Sequence, residues 1–444
     1  MVFALIIGLL CLFPFLLRYR KGSLLSKPLV QVVVLGDIGH SPRMQYHALS
    51  LANTGKVGVE LIGFRGSKPL DAVTHCAEIS IRVIRQVRIA PTLKVPFAIY
   101  AIIKVLFECL QLFLILVATK QRPEVIIVQT PPAIPSILVC GLVSFFSGSK
   151  LVVDFHNITY MHLGTKVHNP VILGVVRLYE KWVTRILAHE CLTVTKSMRN
   201  FLITNFGLRS VHTLYDRPGP QFKGRSSASV KEDLEARLVS TGIMKNKLSS
   251  YDFVLASSTS WTKDEDFSLM LRALPQYSAK TFGKKTLLFI TGKGEMEEQF
   301  VHDFSKLNLT NVELVTAWLP AADYPLLLGA ADVGISVHTS TSGLDLPMKA
   351  VDMLGSELPV VALDFPSLSE MLGNGEGGVT FNTSEQLADS LARLVESKEL
   401  REKYSRFGFK FRTSSDWKSE WLTTAWPVIE KYIPRRSRQS RRRP

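Results

Sequence analysis

Short apolar runs rich in β-branched residues recur along this chain, each followed by a longer stretch with helical periodicity, and the whole series occurs twice. Gln31–Leu35, Val59–Phe64, Val125–Gln129, Lys150–Asp154 and Cys191–Thr195 read as buried strands, with helix-like stretches such as Ser41–Thr54 and Pro170–Leu187 between them. Strands that alternate with helices in this way build a doubly wound parallel sheet, so the fold class is α/β. A polar stretch rich in Pro, Gly and Ser, 216–250, interrupts the pattern and reads as a linker. A second series follows in Phe253–Ala256, Thr286–Ile290, Val312–Val315, Val333–Val337 and Pro359–Leu363. The expectation is two Rossmann-like domains, 28–215 and 251–430, facing each other across a cleft. Ligands of such sheets bind outside the carboxyl ends of the strands, so the loops after each run carry the information.

The N-terminus constrains where such a protein works. Residues 2–17 are apolar and uncharged, and Arg18, Arg20 and Lys21 follow at once. The run is shorter than the roughly 20 residues of a full span, but snorkelling and local thinning cover the difference. A cleaved signal peptide fits less well, because the charges follow the apolar run and no small-x-small site appears. Segment 1–21 therefore reads as a membrane anchor whose basic flank leaves the rest of the chain in the cytosol. A second apolar stretch, 97–118, carries Lys104 and Glu108 at i,i+4 spacing. It reads as an interfacial helix lying on the domain surface rather than as a second span. The sequons at Asn157, Asn308 and Asn382 stay bare on that topology.

The net charge of +15 is concentrated at the two ends, with six arginines in residues 435–444. That favours basic patches against an anionic surface over a nucleic-acid binder, and the tail 431–444 reads as solvated. The five cysteines show no CxxC and no metal spacing, which points to buried thiols in a reducing compartment.

Several loops carry candidate chemistry. After the first strand, Gly36 and Gly39 allow a tight turn and close backbone approach, Ser41 and Pro42 can start a helix, and Arg43 adds a cation for an anionic ligand. Asp37 in that loop is a candidate proton acceptor. Asp154, His156 and Asn157 close a later strand, and a histidine there can bind a sugar hydroxyl or act as a base. In the second half, Ser258 and Thr259 offer hydroxyls to a phosphate, ahead of a Thr262–Glu265 capping box. The acids Asp264–Asp266 read as first-turn helix residues rather than a metal motif. Gly292, Lys293 and Gly294 follow the next strand. The most specific stretch is 340–353, where Ser342, Gly343 and Asp345 lead into a helix begun by Pro347. Its N–H groups and Lys349 would face a diphosphate, and Asp352 would reach a ribose diol.

With these loops in place the chain resembles glycosyltransferases of the GT-B fold, and among them the β-mannosyltransferases of N-glycan assembly. The resemblance rests on residues 36–52, 148–157, 257–268, 290–294 and, most specifically, 322–355. It implies GDP-mannose as donor and dolichol-diphosphate carrying two N-acetylglucosamines as acceptor, at the cytosolic face of the endoplasmic reticulum membrane. It further implies inverting transfer to a 4-hydroxyl, with no cofactor and no metal. Other glycosyltransferases of the same pathway are expected partners. In related enzymes a Glu-x7-Glu pair binds the donor. Here Asp352 matches the second position, whereas the first is Leu344 with Asp345 one place off. The usual Arg and Lys after the domain's first strand are replaced by Ser258 and Thr259. A catalytically silent relative that binds partners through its basic tail is the rival of another class, and a transferase of another lipid-linked step differs only in acceptor.

Overall fold

A computed structural model describes residues 27–85, 97–119, 121–262, 265–414 and 416–434. The segment 1–21 expected to be an anchor and most of the basic tail lie outside the described residues. Two compact units form. Unit 1 takes the chain up to Val194, Met198–Leu214 and everything from Glu420 on, and unit 2 takes Thr195–Ser197 and Tyr215–Ser419.

Unit 1 is a seven-stranded sheet in the order β3-β2-β1-β4-β5-β6-β7. Its strands are β1 (Leu29–Asp37), β2 (Gly58–Phe64), β3 (Ile79–Ile84), β4 (Pro123–Thr130), β5 (Lys150–Phe155), β6 (Glu190–Thr193) and β7 (Val211–Thr213). Every pairing is parallel. The central strands are mostly apolar because helices cover both faces. Principal helices are α1 (Pro42–Asn53), α2 (Phe97–Val117), α3 (Ser136–Ser147) and α4 (Pro170–Leu187). Pro42 stands in the first turn of α1, where its missing N–H costs nothing, and Asn169 caps α4 by accepting from Val171 and Ile172.

Unit 2 repeats the plan with six parallel strands in the order β10-β9-β8-β11-β12-β13. These are β8 (Phe253–Thr259), β9 (Thr286–Gly292), β10 (Val312–Ala317), β11 (Val333–Ser336), β12 (Val360–Leu363) and β13 (Gly378–Phe381). Its principal helices are α5 (Phe267–Lys280), α6 (Tyr324–Ala330) and α7 (Met348–Gly355). Each order reverses direction once, between β1 and β4 and between β8 and β11, which marks the ligand crevice of a doubly wound sheet.

Three expectations change. Residues 216–250 are not a linker: they contain the helix Ala228–Ser240, capped by Ser227, and Phe222, Leu234, Leu238, Met244 and Leu248 enter the unit 2 core. Residues beyond Ser419 leave the second unit. Helix α8 (Trp417–Glu430) carries Trp421 to His47 of unit 1, and Lys431 and Tyr432 bond the buried Glu190 at 2.5 and 2.7 Å. The start of the predicted tail is thus pinned by hydrogen bonds. The apolar stretch at 97–118 forms α2, which buries Cys109, Leu112, Phe113 and Leu116 and exposes Ile103, Leu106, Phe107, Leu110 and Leu114. No described helix is long and apolar enough to cross a membrane. Finally, the capping box is not made. Asp266 caps α5, accepting from Ser268 and Leu269, while Glu265 turns elsewhere.

Candidate active site

In unit 1 the site is organised by one carboxylate. Asp154 lies at the end of β5 and is fully buried, which is tolerable only with compensating charge and hydrogen bonds. Arg43, in the first turn of α1, grips it bidentately, Nε to Oδ2 at 2.9 Å and Nη2 to Oδ1 at 3.0 Å. Its Nη1 donates to the Leu214 carbonyl at 2.9 Å. His47, one turn further on, donates Nε2–H to Oδ2 at 3.2 Å, while its Nδ1 accepts from the Trp421 indole at 2.9 Å. An indole N–H can only donate, so the His47 proton sits on Nε2. Burial pushes the His47 pKa down, against the pull of Asp154, and keeps the ring neutral. Burial alone would raise Asp154, but Arg43 beside it and the bonds from His156 and His47 hold it well below the usual carboxylate range.

His156 completes the group. Its Nε2 lies 2.9 Å from Asp154 Oδ2, and its side chain keeps about a quarter of its surface, 23%, open to solvent. An Asp that fixes the Nε2–H tautomer leaves Nδ1 with the basic lone pair. Asn157 beside it turns inward to its own chain, its Oδ1 accepting from Ile158 N–H at 2.7 Å.

The first loop is used differently from expectation. Asp37 Oδ1 accepts from Gly39 N–H at 3.0 Å and Oδ2 from Ser67 N–H at 2.8 Å, with His40 Nδ1 at 3.1 Å. Slight burial would raise its pKa, but the Ser67 and Gly39 amides hold it down. A Cβ on Gly39 would fall 2.5 Å from the Ser67 carbonyl oxygen, so the close approach Gly39 permits is to the protein's own backbone. Gly36 has no such constraint, its nearest neighbour being Val34 at 3.4 Å. Ser41 donates to the Asp37 carbonyl at 2.9 Å instead of capping α1. Arg43 and Asp154, expected to meet a ligand, are spent on each other.

In unit 2 the residues expected to hold the donor fall into hydrogen-bonded groups. Glu265, buried and expected only as a capping residue, accepts from Lys349 Nζ at 2.5 Å, from Ser260 N–H at 3.1 Å and from the Thr259 hydroxyl. Its backbone forms a bridge with His338 just after β11. Thr259 Oγ1 in turn accepts from Trp261 N–H at 2.8 Å, so this hydroxyl shapes the loop. Gly292 and Gly294 pack under the same loop: a Cβ on either would stand about 2 Å from a carbonyl oxygen, Thr259 or Ser260 respectively (2.0 and 2.1 Å). Lys293 between them is exposed, with no ion-pair partner among the described residues.

A second thread links α6 to α7. Tyr324 donates to Ser258 Oγ at 3.1 Å and reaches Asp352 Oδ2 at 3.4 Å. Burial pushes the Asp352 carboxyl up to about 8, so at neutral pH it is largely protonated. The loop before α7 is held by Asp345, whose Oδ1 accepts from Ser342 at 3.4 Å and from Ser340, with His338 Nε2 at 3.9 Å from Oδ2. Burial would raise Asp345, but the hydrogen bonds from His338 and Ser340 hold it below the ordinary value. Gly343 adopts φ +68°, a left-handed turn that favours glycine, and its N–H donates to Ser340 Oγ at 2.7 Å. Pro347 precedes the first turn of α7, as expected, and no side chain caps that end. Lys349 lies in that first turn. Of the acids once weighed as a metal motif, Glu265 binds Lys349, Asp266 caps α5, and Asp264 lies outside the described residues.

Sequence reasoning missed Glu265, Tyr324 and His47. Glu265 was hidden by a plausible capping box, and a tyrosine in an apolar helix or a histidine on a helix face announces nothing until its partners are known.

Residues 243–411, which hold every donor-side residue above, match the family model described as Glycosyl transferases group 1. The chain is 37% identical to the mouse chitobiosyldiphosphodolichol beta-mannosyltransferase, covering 96% of this chain and 94% of that protein. The Arabidopsis thaliana protein named UDP-glycosyltransferase TURAN is 32% identical, covering 90% and 97%. Among solved structures, sucrose-phosphate synthase from Thermosynechococcus elongatus superposes with a TM-score of 0.66 at 12% identity, covering 91% of this chain and 98% of that one, a likeness of fold. Two parallel sheets of the GT-B plan, together with identity at this level along nearly the whole chain, place it in the chitobiosyldiphosphodolichol β-mannosyltransferase family.

Proposed function

We propose that the chain transfers mannose from GDP-mannose to the 4-hydroxyl of the terminal N-acetylglucosamine of chitobiosyl-diphosphodolichol, with inversion, at the cytosolic face of the endoplasmic reticulum membrane. The observation that carries this reading is the pair of unit 2 clusters, Lys349 on Glu265 and Tyr324 between Ser258 and Asp352, in a chain that follows named β-mannosyltransferases almost end to end. In the reaction the acceptor oxygen bonds to mannose C1 as the C1–O bond to GDP breaks. The bond's electron pair leaves on the diphosphate and the hydroxyl proton goes to a base. Lys349, the exposed Lys293 and the open N-terminus of α7 would offset the charge on the departing diphosphate. A protonated Asp352 would both donate to and accept from a ribose hydroxyl.

We assign the base to His156, through Nδ1, because Asp154 orients its ring and part of it is open. Asp37 is assigned to loop shape, since both of its oxygens already hold backbone N–H groups. Full-length protein with chitobiosyl-diphosphodolichol in vesicles should form labelled mannosyl lipid from GDP-mannose and not from UDP-glucose, the relevant control given the name of the plant relative. Transfer from the UDP-sugar alone would sink the donor assignment. His156→Ala should lower turnover by about 10²–10⁴-fold with GDP affinity kept. If Asp37→Asn loses turnover and His156→Ala does not, the base is Asp37.

A further inference from the structure

Helix α4 is amphipathic in the wrong sense for water. The face it turns into unit 1 carries Val176, Glu180 and Thr184, all buried. Glu180 accepts there from the Thr159 and Tyr160 N–H groups at 2.9 and 3.3 Å. The opposite face presents Val171, Ile172, Val175, Leu178, Trp182 and Ile186, the last 73% exposed. At 100° per residue these six form one stripe along the full helix. A helix meant for solvent would show the reverse pattern.

The stripe has neighbours. Helix α3 packs against both α4 and α2. It exposes Phe145 at 70%, and α2 adds its own exposed row from Ile103 to Leu114. More than half of the large apolar side chains exposed among the described residues lie on these three helices. Scattered exposed leucines need no explanation, whereas a contiguous patch does.

Charge says what covers it. The one acid of α4 is buried, so the charges that reach solvent from this helix are Arg177, Lys181 and Arg185, all on one flank of the stripe. The Arg185 guanidinium stands 5.4 Å over the Trp182 ring and Arg177 5.7 Å over the Tyr160 ring. An apolar stripe edged by cations and amphipathic aromatics matches the boundary between acyl chains and anionic headgroups. From this we infer that the outer face of α4, continued by Phe145 and α2, docks unit 1 on an anionic bilayer, the phase that would hold the acceptor. The inference rests on the lipid-linked acceptor of the proposed function. It extends membrane contact to α4, which from the sequence is only a helix-like stretch between strands.

Brominated phosphatidylcholine vesicles, with and without phosphatidylserine, test the face directly. In the full-length protein part of the tryptophan emission should be quenched, more so with phosphatidylserine, and that part should vanish in Trp182→Phe. Val175→Asp combined with Ile186→Asp should reduce that Trp182 quenching by about tenfold, even where the N-terminal apolar segment keeps the protein on the vesicle. The same variant should keep wild-type transfer to a short, water-soluble chitobiosyl diphosphate, which also shows that it is folded. Quenching that Trp182→Phe leaves intact, or quenching in the double variant equal to wild type, would overturn the inference. So would a lipid-free dimer that the double variant dissociates, since a second copy would then cover the face. Failure of the wild type to use the soluble acceptor would count against the proposed reaction, while the quenching result would still decide the docking face.

Discussion

Asp154 in unit 1 and Asp352 in unit 2 are both drawn away from water, and they respond in opposite ways. Asp154 is the more deeply buried, yet it stays ionised because Arg43 and two histidines meet its oxygens. Among the described residues the Asp352 carboxyl meets only the Tyr324 hydroxyl, and it is pushed up to about 8 by burial. Depth therefore does not set the protonation state; the charge of the partners does. The fixed anion of unit 1 suits the orientation of a histidine, and the switchable carboxyl of unit 2 suits contact with a neutral diol.

The comparison breaks most visibly at Asp154. Asp154→Asn would leave the buried Arg43 without its anion, and the expected loss is about 3–5 kcal/mol in urea unfolding. A paired change, Arg43→Met with Asp154→Leu, should recover much of it, and a coupling near zero would show that the two side chains do not act as a unit. Next in size is Lys349→Met, which removes the cation from Glu265 and from the proposed diphosphate. GDP affinity measured by calorimetry should fall by about 10-fold or more, in keeping with about 1.5–3 kcal/mol for a charged hydrogen bond. Unchanged affinity would place the diphosphate elsewhere.

The residue types of this contrast were legible in the sequence, and their pairings were not. Buried parallel strands announce themselves as continuous apolar runs, so β1, β4, β5, β8 and β9 were found. Edge strand β3 alternates Ile79, Ile81 and Val83 with Ser80 and Arg82, β7 has only three residues, and β13 sets Gly378 and Thr380 beside Val379 and Phe381, so none of them forms a continuous apolar run. The misread linker hides its helix because Leu234 and Leu238 are the only fully apolar anchors in a charged stretch. In the site, Asp154 and Arg43 were both singled out as ligand contacts. They lie 111 residues apart, and nothing local tells that one neutralises the other. Local rules also misled at Glu265, where capping spacing matched while the side chain went to Lys349.

Asp352 sharpens the comparison through pH. Its folded pKa of about 8 exceeds the ordinary 3.8, so the folded protein holds this proton more tightly than the unfolded chain. The stability it contributes is complete below about 3.8 and is lost as pH rises through about 8. Asp352→Asn should flatten the fall in unfolding free energy between those limits relative to wild type. An identical pH profile for the two proteins would mean that Asp352 is ionised, like Asp154.

The smallest effect belongs to a third aspartate, which serves only to cap a helix. Asp266 accepts from Ser268 and Leu269 N–H at 3.1 and 3.3 Å and so caps α5, while its neighbour Glu265 is the buried partner of Lys349. Asp266→Ala should cost about 1 kcal/mol of stability and leave GDP affinity unchanged, since only a helix end is affected. Glu265→Gln should act in the other direction, disturbing GDP binding more than unfolding. It changes the charge beside Lys349 while keeping a side chain that can still accept from Ser260 and Thr259. If Asp266→Ala instead weakened GDP and Glu265→Gln did not, the acid next to the nucleotide would be the capping residue, and the charge contrast between the two units would have to be redrawn around it.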